Sequence, residues 1–219
     1  MSKAYFITAT GTDIGKTWLT AGLVAAARAR GVPVRALKPV MSGFDPAHPE
    51  ACDAAKVGAG ETALEKISPW RFMAPLSPDL AAAREGKSID FAALVSWCRD
   101  EIATCEGLLI IEGIGGAMVP LDARHTVRNW IAALRIPTLL VCGTYLGALS
   151  HTLSALAALR EVGIVPAALI VNESDGSSVS LADTLASLVP QVGDVPIIRL
   201  RRDDAAGVKR LAERLISSP

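Results

Sequence analysis

The stretch Thr8-Ala9-Thr10-Gly11-Thr12-Asp13-Ile14-Gly15-Lys16-Thr17 decides how this chain is read. It closes an apolar run, Ala4 to Thr10, that reads as a strand. It opens a segment from about Lys16 to Arg30 in which Leu19, Leu23 and Ala26 share one helical face. A Gly-Lys-Thr ending between strand and helix is what a phosphate-binding loop needs. Backbone N–H groups point inward and the helix N-terminus adds positive potential. Lys16 neutralises phosphate charge, and the Thr17 hydroxyl can ligate magnesium. The strict pattern has glycine at position 10, where Thr10 stands, with Gly11 one residue late. Alone the tripeptide is a moderate signal; a strand and a helix on the correct sides raise it.

The same strand-turn-helix beat continues outward. Pro33–Leu37, Leu108–Ile111, Thr138–Val141, Ala168–Val171 and Val195–Ile198 read as strands. Helices fit at about 78–86, 90–104, 126–134, 148–161, 178–189 and 203–216. Continuous apolar runs alternating with helices predict an α/β fold, a mostly parallel sheet with helices on both faces, as one domain over 1–219. Ligands then collect beyond the carboxyl ends of the strands. Residues 39–78 lack a clean period and hold six prolines, which implies a functional insertion or short helices without sharp limits.

Composition removes several function classes. The 219 residues carry 22 basic and 22 acidic side chains, so no cationic excess marks a nucleic-acid footprint. With 51% hydrophobic and 20% charged residues, the chain can build a core and is too apolar for disorder. Ile136 to Leu159 lacks charged residues but is broken by Pro137, Gly143, Gly147 and Ser150, so strand, turn and helix fit better than a membrane span. Met1 to Tyr5 runs into a strand with no signal-peptide layout. Cys52, Cys98, Cys105 and Cys142 show no C-x-x-C spacing, which predicts reduced thiols and a cytoplasmic setting.

Two further strand ends carry chemistry. The second reads Leu37-Lys38-Pro39-Val40-Met41-Ser42-Gly43 and would set a second lysine over the phosphate loop. Two lysines on a transferring phosphoryl group suit phosphoryl transfer, where positioning and charge stabilisation dominate. The other, Leu108-Leu-Ile-Ile-Glu112-Gly113-Ile114-Gly115-Gly116, ends a buried strand in an acidic residue, the usual second anchor for magnesium in phosphate-loop enzymes.

Together, the phosphate loop, Lys38-Pro-Val-x-Ser-Gly43, Asp53 and Glu112-Gly-x-Gly-Gly116 resemble dethiobiotin synthetase. Pro75-Leu-Ser-Pro78, Glu85-Gly86, Pro120-Leu121, Leu146-Gly147 with His151, and Asn172 extend the likeness over most of the chain. The resemblance implies a P-loop NTPase-like fold, a homodimer, magnesium, and ATP as co-substrate. It also implies a ring-closing ligase that joins CO2 to 7,8-diaminononanoate. ATP would lie against Asp13, Ile14, Gly15, Lys16, Thr17, Trp18, Asp53, Glu112, Gly113, Ile114, Gly115 and Asn172, the last reading adenine. Thr17, Asp53 and Glu112 would hold magnesium, Lys16 and Lys38 would be catalytic, and Ser42 would touch the diamine or its carbamate. Small molecules are the implied partners, with neither nucleic acid nor membrane. No catalytic triad is expected, and His48, His125 and His151 read as capping or packing residues.

Three stretches depart from the family pattern. Ala9 replaces a usual glycine, Tyr145 a frequent lysine, and Arg199-Leu200-Arg201-Arg202 the residues that commonly flank adenine. The arginine run reads as a solvated face. The alternative reading is a switch ATPase of the partition or cell-division type. Such proteins want a second lysine early in the loop, and positions 8 to 12 have none.

Overall fold

Apolar residues along the first strand point alternately to two sides, and both sides are buried. In β1 (Lys3–Ala9), Phe6 packs into one apolar cluster, while Tyr5, Ile7 and Ala9 pack into another. A strand buried on both faces needs cover on both, and the helices supply it. The computed structural model describes residues 3–58 and 63–217, so the Met1–Ser2 start and the Ser218–Pro219 end lie outside the described residues.

After β1 come α1 (Lys16–Ala29) and β2 (Val34–Leu37). Next are β3 (Val40–Ser42), α2 (Asp53–Gly58), α3 (Leu64–Ile67) and β4 (Trp70–Phe72). The chain continues through α4 (Pro78–Arg84), α5 (Phe91–Thr104), β5 (Leu108–Glu112), α6 (Val127–Leu134) and β6 (Thr138–Cys142). It ends with α7 (Ala148–Glu161), β7 (Ala168–Asn172), α8 (Leu181–Leu188), β8 (Ile197–Leu200) and α9 (Ala205–Ser217). The main sheet has the order β2-β5-β1-β6-β7-β8, with every pairing parallel. Strands advance to either side of β1, so the crevice beyond its carboxyl end is the topological switch point. The phosphate loop occupies that crevice.

One face is covered by α1, α2 and α9, whose Leu19, Leu23, Val57, Val208 and Leu211 pack on Ile7, Ile110 and Val141. The other is covered by α4 to α8. There Phe6 meets Trp130 of α6 edge to face, with ring centres 4.9 Å apart. Leu109, Ile111, Leu140 and Leu169 complete that side, all fully buried. Truncating one such side chain to alanine typically costs about 2–5 kcal/mol.

The irregular stretch holds more order than its sequence suggests. β3 and β4 form a separate parallel pair, with Val40 beside Trp70 and Ser42 beside Phe72. Three-residue strands are too short for alternation to register, and prolines mask them. The last strand also lies two residues later than its apolar run implies, at Ile197–Leu200, because Asn172 pairs with Leu200 and pulls the charged Arg199 into the ladder. All four cysteines are free thiols, as their spacing suggests. Burial is the main cause that raises the Cys98 thiol to about 12 and the Cys142 thiol to about 11, leaving both inert. Among the described residues no helix is long and apolar enough to cross a membrane.

Candidate active site

Strand register assembles the charged centre. β2 pairs with β5 so that Leu37 lies beside Ile111, and β1 pairs with β5 so that Ile7 lies beside Glu112. The next residue along β2 is Lys38, which therefore reaches Glu112. Its Nζ donates to Glu112 Oε1 at 2.5 Å and to the Gly113 carbonyl at 3.0 Å, and stands 3.6 Å from Asp53 Oδ2. The Thr17 hydroxyl donates to the same Glu112 oxygen at 2.7 Å. Lys38 is 3% exposed and Glu112 is fully buried. Such a pair persists only because each charge has close partners.

The phosphate loop curls over this centre. Gly15 has φ 97° and precedes α1, whose N-terminus carries no side-chain cap, so its first N–H groups remain for a ligand. A Cβ on Gly15 would lie 2.4 Å from Asn172 Nδ2 besides straining the backbone, which explains the glycine. Lys16 Nζ donates to the Gly11 carbonyl at 2.8 Å, so the loop wraps its own lysine. Burial, reinforced by the charge on Lys38, lowers the Lys16 ammonium from the usual 10.5 to about 8, against the attraction of Glu112, Asp53 and Asp13.

Two cavities meet across the loop. One of about 640 Å³ is lined by Lys16, Thr17, Lys38, Ser42, Asp53, Pro75 to Pro78, Ile114, Gly115 and Val119. The second, of about 720 Å³, is lined by Thr10 to Gly15, Trp18, Tyr145, His151, Asn172 to Asp175, Arg202 and Asp203. Asp13, Gly15 and Trp18 border both. A volume of this size suits a nucleotide-sized ligand.

The sequence-derived site residues thus converge, but two of them, Glu112 and Gly113, line neither cavity. Gly113 supports the site from beneath. It is buried under Phe6, donates its N–H to the Ile7 carbonyl and meets the site only by accepting from Lys38. Glu112 is screened from the cavity by Lys38, and its Oε2 is buried with no hydrogen-bond partner. The Ser42 hydroxyl is likewise buried and unpartnered at the cavity wall. Asn172 donates its amide N–H to the Ile14 carbonyl at 3.0 Å, which leaves its oxygen as an acceptor.

One expectation is refined and one corrected. His151 does pack, its ring tilted against Tyr145 with centres 5.6 Å apart and Nδ1 2.7 Å from the Tyr145 hydroxyl, but it does so exposed on the second cavity. The arginine run is not wholly a solvated face. Arg202 lines that cavity, its guanidinium 3.5 Å from Asp175 and 3.8 Å from Asp203. Its backbone N–H donates to Glu173, which joins the loops after β7 and β8. Tyr145, Glu173, Asp175 and Arg202 all follow strand ends, and that position was the signal that could have found them. By contrast, His125 stacks on Phe91 and bonds Asp122, a packing role as expected.

A parallel sheet, a phosphate loop at its switch point and a lysine-carboxylate centre beneath it define a phosphate-loop nucleotide-binding protein. A family model described as an AAA domain matches residues 3–201. The ATP-dependent dethiobiotin synthetase of Acidiphilium cryptum is 49% identical over 88% of this chain and 89% of its own length. Those of Methylobacterium nodulans and Caulobacter sp. strain K31 are 44% and 40% identical, covering 90% and 98% of this chain and 92% and 95% of theirs. The chain belongs to the ATP-dependent dethiobiotin synthetase family, and so to the ligases. Among solved structures, the cell-division protein MinD with Mg-ADP from Pyrococcus horikoshii has a TM-score of 0.60 at 16% identity, covering 99% of this chain and 97% of that one. The Aquifex aeolicus MinC:MinD complex has a TM-score of 0.59 at 14% identity, covering 99% and 96%. At those identities the likeness concerns the fold.

Proposed function

We propose that this chain makes dethiobiotin from 7,8-diaminononanoate, CO2 and ATP as a cytoplasmic homodimer that uses magnesium. The observation that carries the reading is the meeting of Lys16, Lys38, Thr17 and Asp53 around one cavity that also presents Ser42, with Glu112 behind its wall bonded to Lys38 and Thr17. In the reaction, one substrate amine adds to CO2 and loses a proton, giving a carbamate. A carbamate oxygen attacks the γ-phosphorus and ADP leaves, forming a carbamic-phosphoric anhydride. The second amine then attacks the carbonyl carbon, the C–O bond to phosphate breaks, and the five-membered ring closes.

The protein has little covalent work to do, because the nucleophiles belong to the substrate. Its task is to hold two anions together against their repulsion. Lys16 and the α1 N-terminus take the phosphates, and Lys38 with Ser42 takes the carbamate. Asn172 offers its oxygen to the exocyclic amine of adenine, while the remaining loop residues cradle the nucleotide. The donor set, one hydroxyl and the two carboxylates of Asp53 and Glu112, is all oxygen and suits a hard cation. Thr17, Asp53 and Glu112 would hold magnesium, which when bound supplies charge neutralisation at the phosphate oxygens.

The test is an ADP assay with ATP, magnesium and bicarbonate, with and without the diamine. ADP formed only with the diamine, together with dethiobiotin, is the expected result. Hydrolysis that ignores the diamine would instead mark a switch ATPase.

A further inference from the structure

Lys38 lines the cavity, yet its ammonium is bound to Glu112 and Gly113 rather than free for a ligand. Its ammonium is 2.5 Å from Glu112 Oε1, 3.0 Å from the Gly113 carbonyl and 3.6 Å from Asp53, and Thr17 bonds that same Glu112 oxygen. The three side chains read above as magnesium ligands therefore surround or adjoin one lysine. A divalent ion shared by Thr17 and Glu112 belongs on the Oε1 side, where the ammonium now lies. Two cations at one buried oxygen repel strongly, since little solvent screens them.

We propose that Lys38 is a placeholder for the metal: it neutralises Glu112 before the cation arrives, and cation entry displaces its ammonium into the cavity beside Ser42. This rests on the reading of Thr17, Asp53 and Glu112 as the metal's ligands. Three features support a device rather than a chance contact. Glu112 has no other cationic partner within salt-bridge distance among the described residues, so the fully buried carboxylate would be uncompensated without Lys38. The cavity that Lys38 lines is open, and Ser42 there has an unpartnered hydroxyl. Moreover, a lysine released only when the metal binds meets the carbamate only when the nucleotide is ready to react. Lys38 thereby couples the two substrates' sites.

The test reads the lysine itself. Wild-type protein is reductively methylated with saturating ADP, either with EDTA or with Mg2+, and Lys38 labelling is quantified by peptide mass mapping. Metal occupancy is measured in parallel with Mn2+ by electron paramagnetic resonance. Lys38 labelling is expected to rise at least about tenfold with Mg2+, as a buried amine becomes reachable. In the Lys38→Gln and Lys38→Met proteins, Mn2+ affinity in the presence of ADP is expected to rise about tenfold, because a competitor has been removed. Normal Mn2+ binding with Lys38 still protected would overturn the placeholder while leaving the ligand assignment intact, the metal then using Glu112 Oε2. Unchanged Mn2+ affinity in Glu112→Gln would overturn the ligand assignment and the placeholder with it.

Discussion

The two cavities on either side of the phosphate loop are built on opposite principles. On the Lys38 side Lys16, Lys38 and Glu112 are buried, and strand register brings Lys38 and Glu112 into short contact. On the Asn172 side the charges of Asp175, Arg202 and Asp203 are exposed, and one 3.5 Å ion pair, Arg202 with Asp175, runs between two loops. In a buried site each electrostatic contact is strong and its loss leaves a partner uncompensated. At the surface water replaces a lost contact at little cost. Under the proposed function the first cavity would hold the chemistry and the second the recognition, and five measurements can break or sharpen the contrast.

The largest effect belongs to Glu112. Changing it to alanine removes a proposed metal ligand and strands Lys38, and turnover is expected to fall at least about a thousandfold. Nucleotide binding should also lose its magnesium dependence. An unchanged magnesium dependence by calorimetry would remove Glu112 from the centre. Next is Lys38→Gln, expected to fold and bind ATP while product formation drops about a hundredfold, the usual scale for losing one charge-stabilising donor. Normal turnover there would remove Lys38 from the reaction.

The other cavity should respond more mildly. Asn172→Ala is expected to raise the KM for ATP about tenfold with a smaller change in kcat, since it removes one acceptor and the Ile14 bond. Arg202→Ala should change the KM by only about two- to threefold, because its ion pairs are solvent-exposed. A loss at Arg202 as large as that at Lys38 would end the distinction between the cavities.

The smallest effect is a proton count. Burial and Lys38 hold Lys16 near 8, so at pH 8 about half the molecules carry it neutral. Phosphate anions favour the charged form and raise that value. Nucleotide binding at pH 8 is therefore expected to take up roughly half a proton, and less toward pH 6.5, where Lys16 is already charged. Calorimetry in buffers of different ionisation enthalpy measures this, and release instead of uptake would contradict the burial of Lys16.

Local grammar made much of this legible. Short continuous apolar runs marked the central strands, and Gly15-Lys16-Thr17 after one of them marked the loop. Strand ends then led to Lys38 and Glu112, as the parallel sheet required. Less legible were Tyr145, His151, Asp175 and Arg202. Each is an ordinary polar residue in a loop or, for His151, in the first turn of α7, and nothing in its neighbours along the chain reveals which wall it faces. The short β3–β4 pair was hidden for a similar reason: three residues carry too little period, and its partners lie 30 residues apart.

Sequence alone thus determined the layered α/β architecture, the phosphate loop and the residue types at the strand ends, because these depend on short-range pattern and composition. Only the tertiary structure decided that the Lys38 ammonium is paired with Glu112 at the cavity wall, that Gly113 supports from beneath, and that Arg202 joins the second wall. Those facts depend on strand register and on loops brought together from distant parts of the chain, and a side chain's partners there are chosen by space and charge, not by its neighbours in sequence.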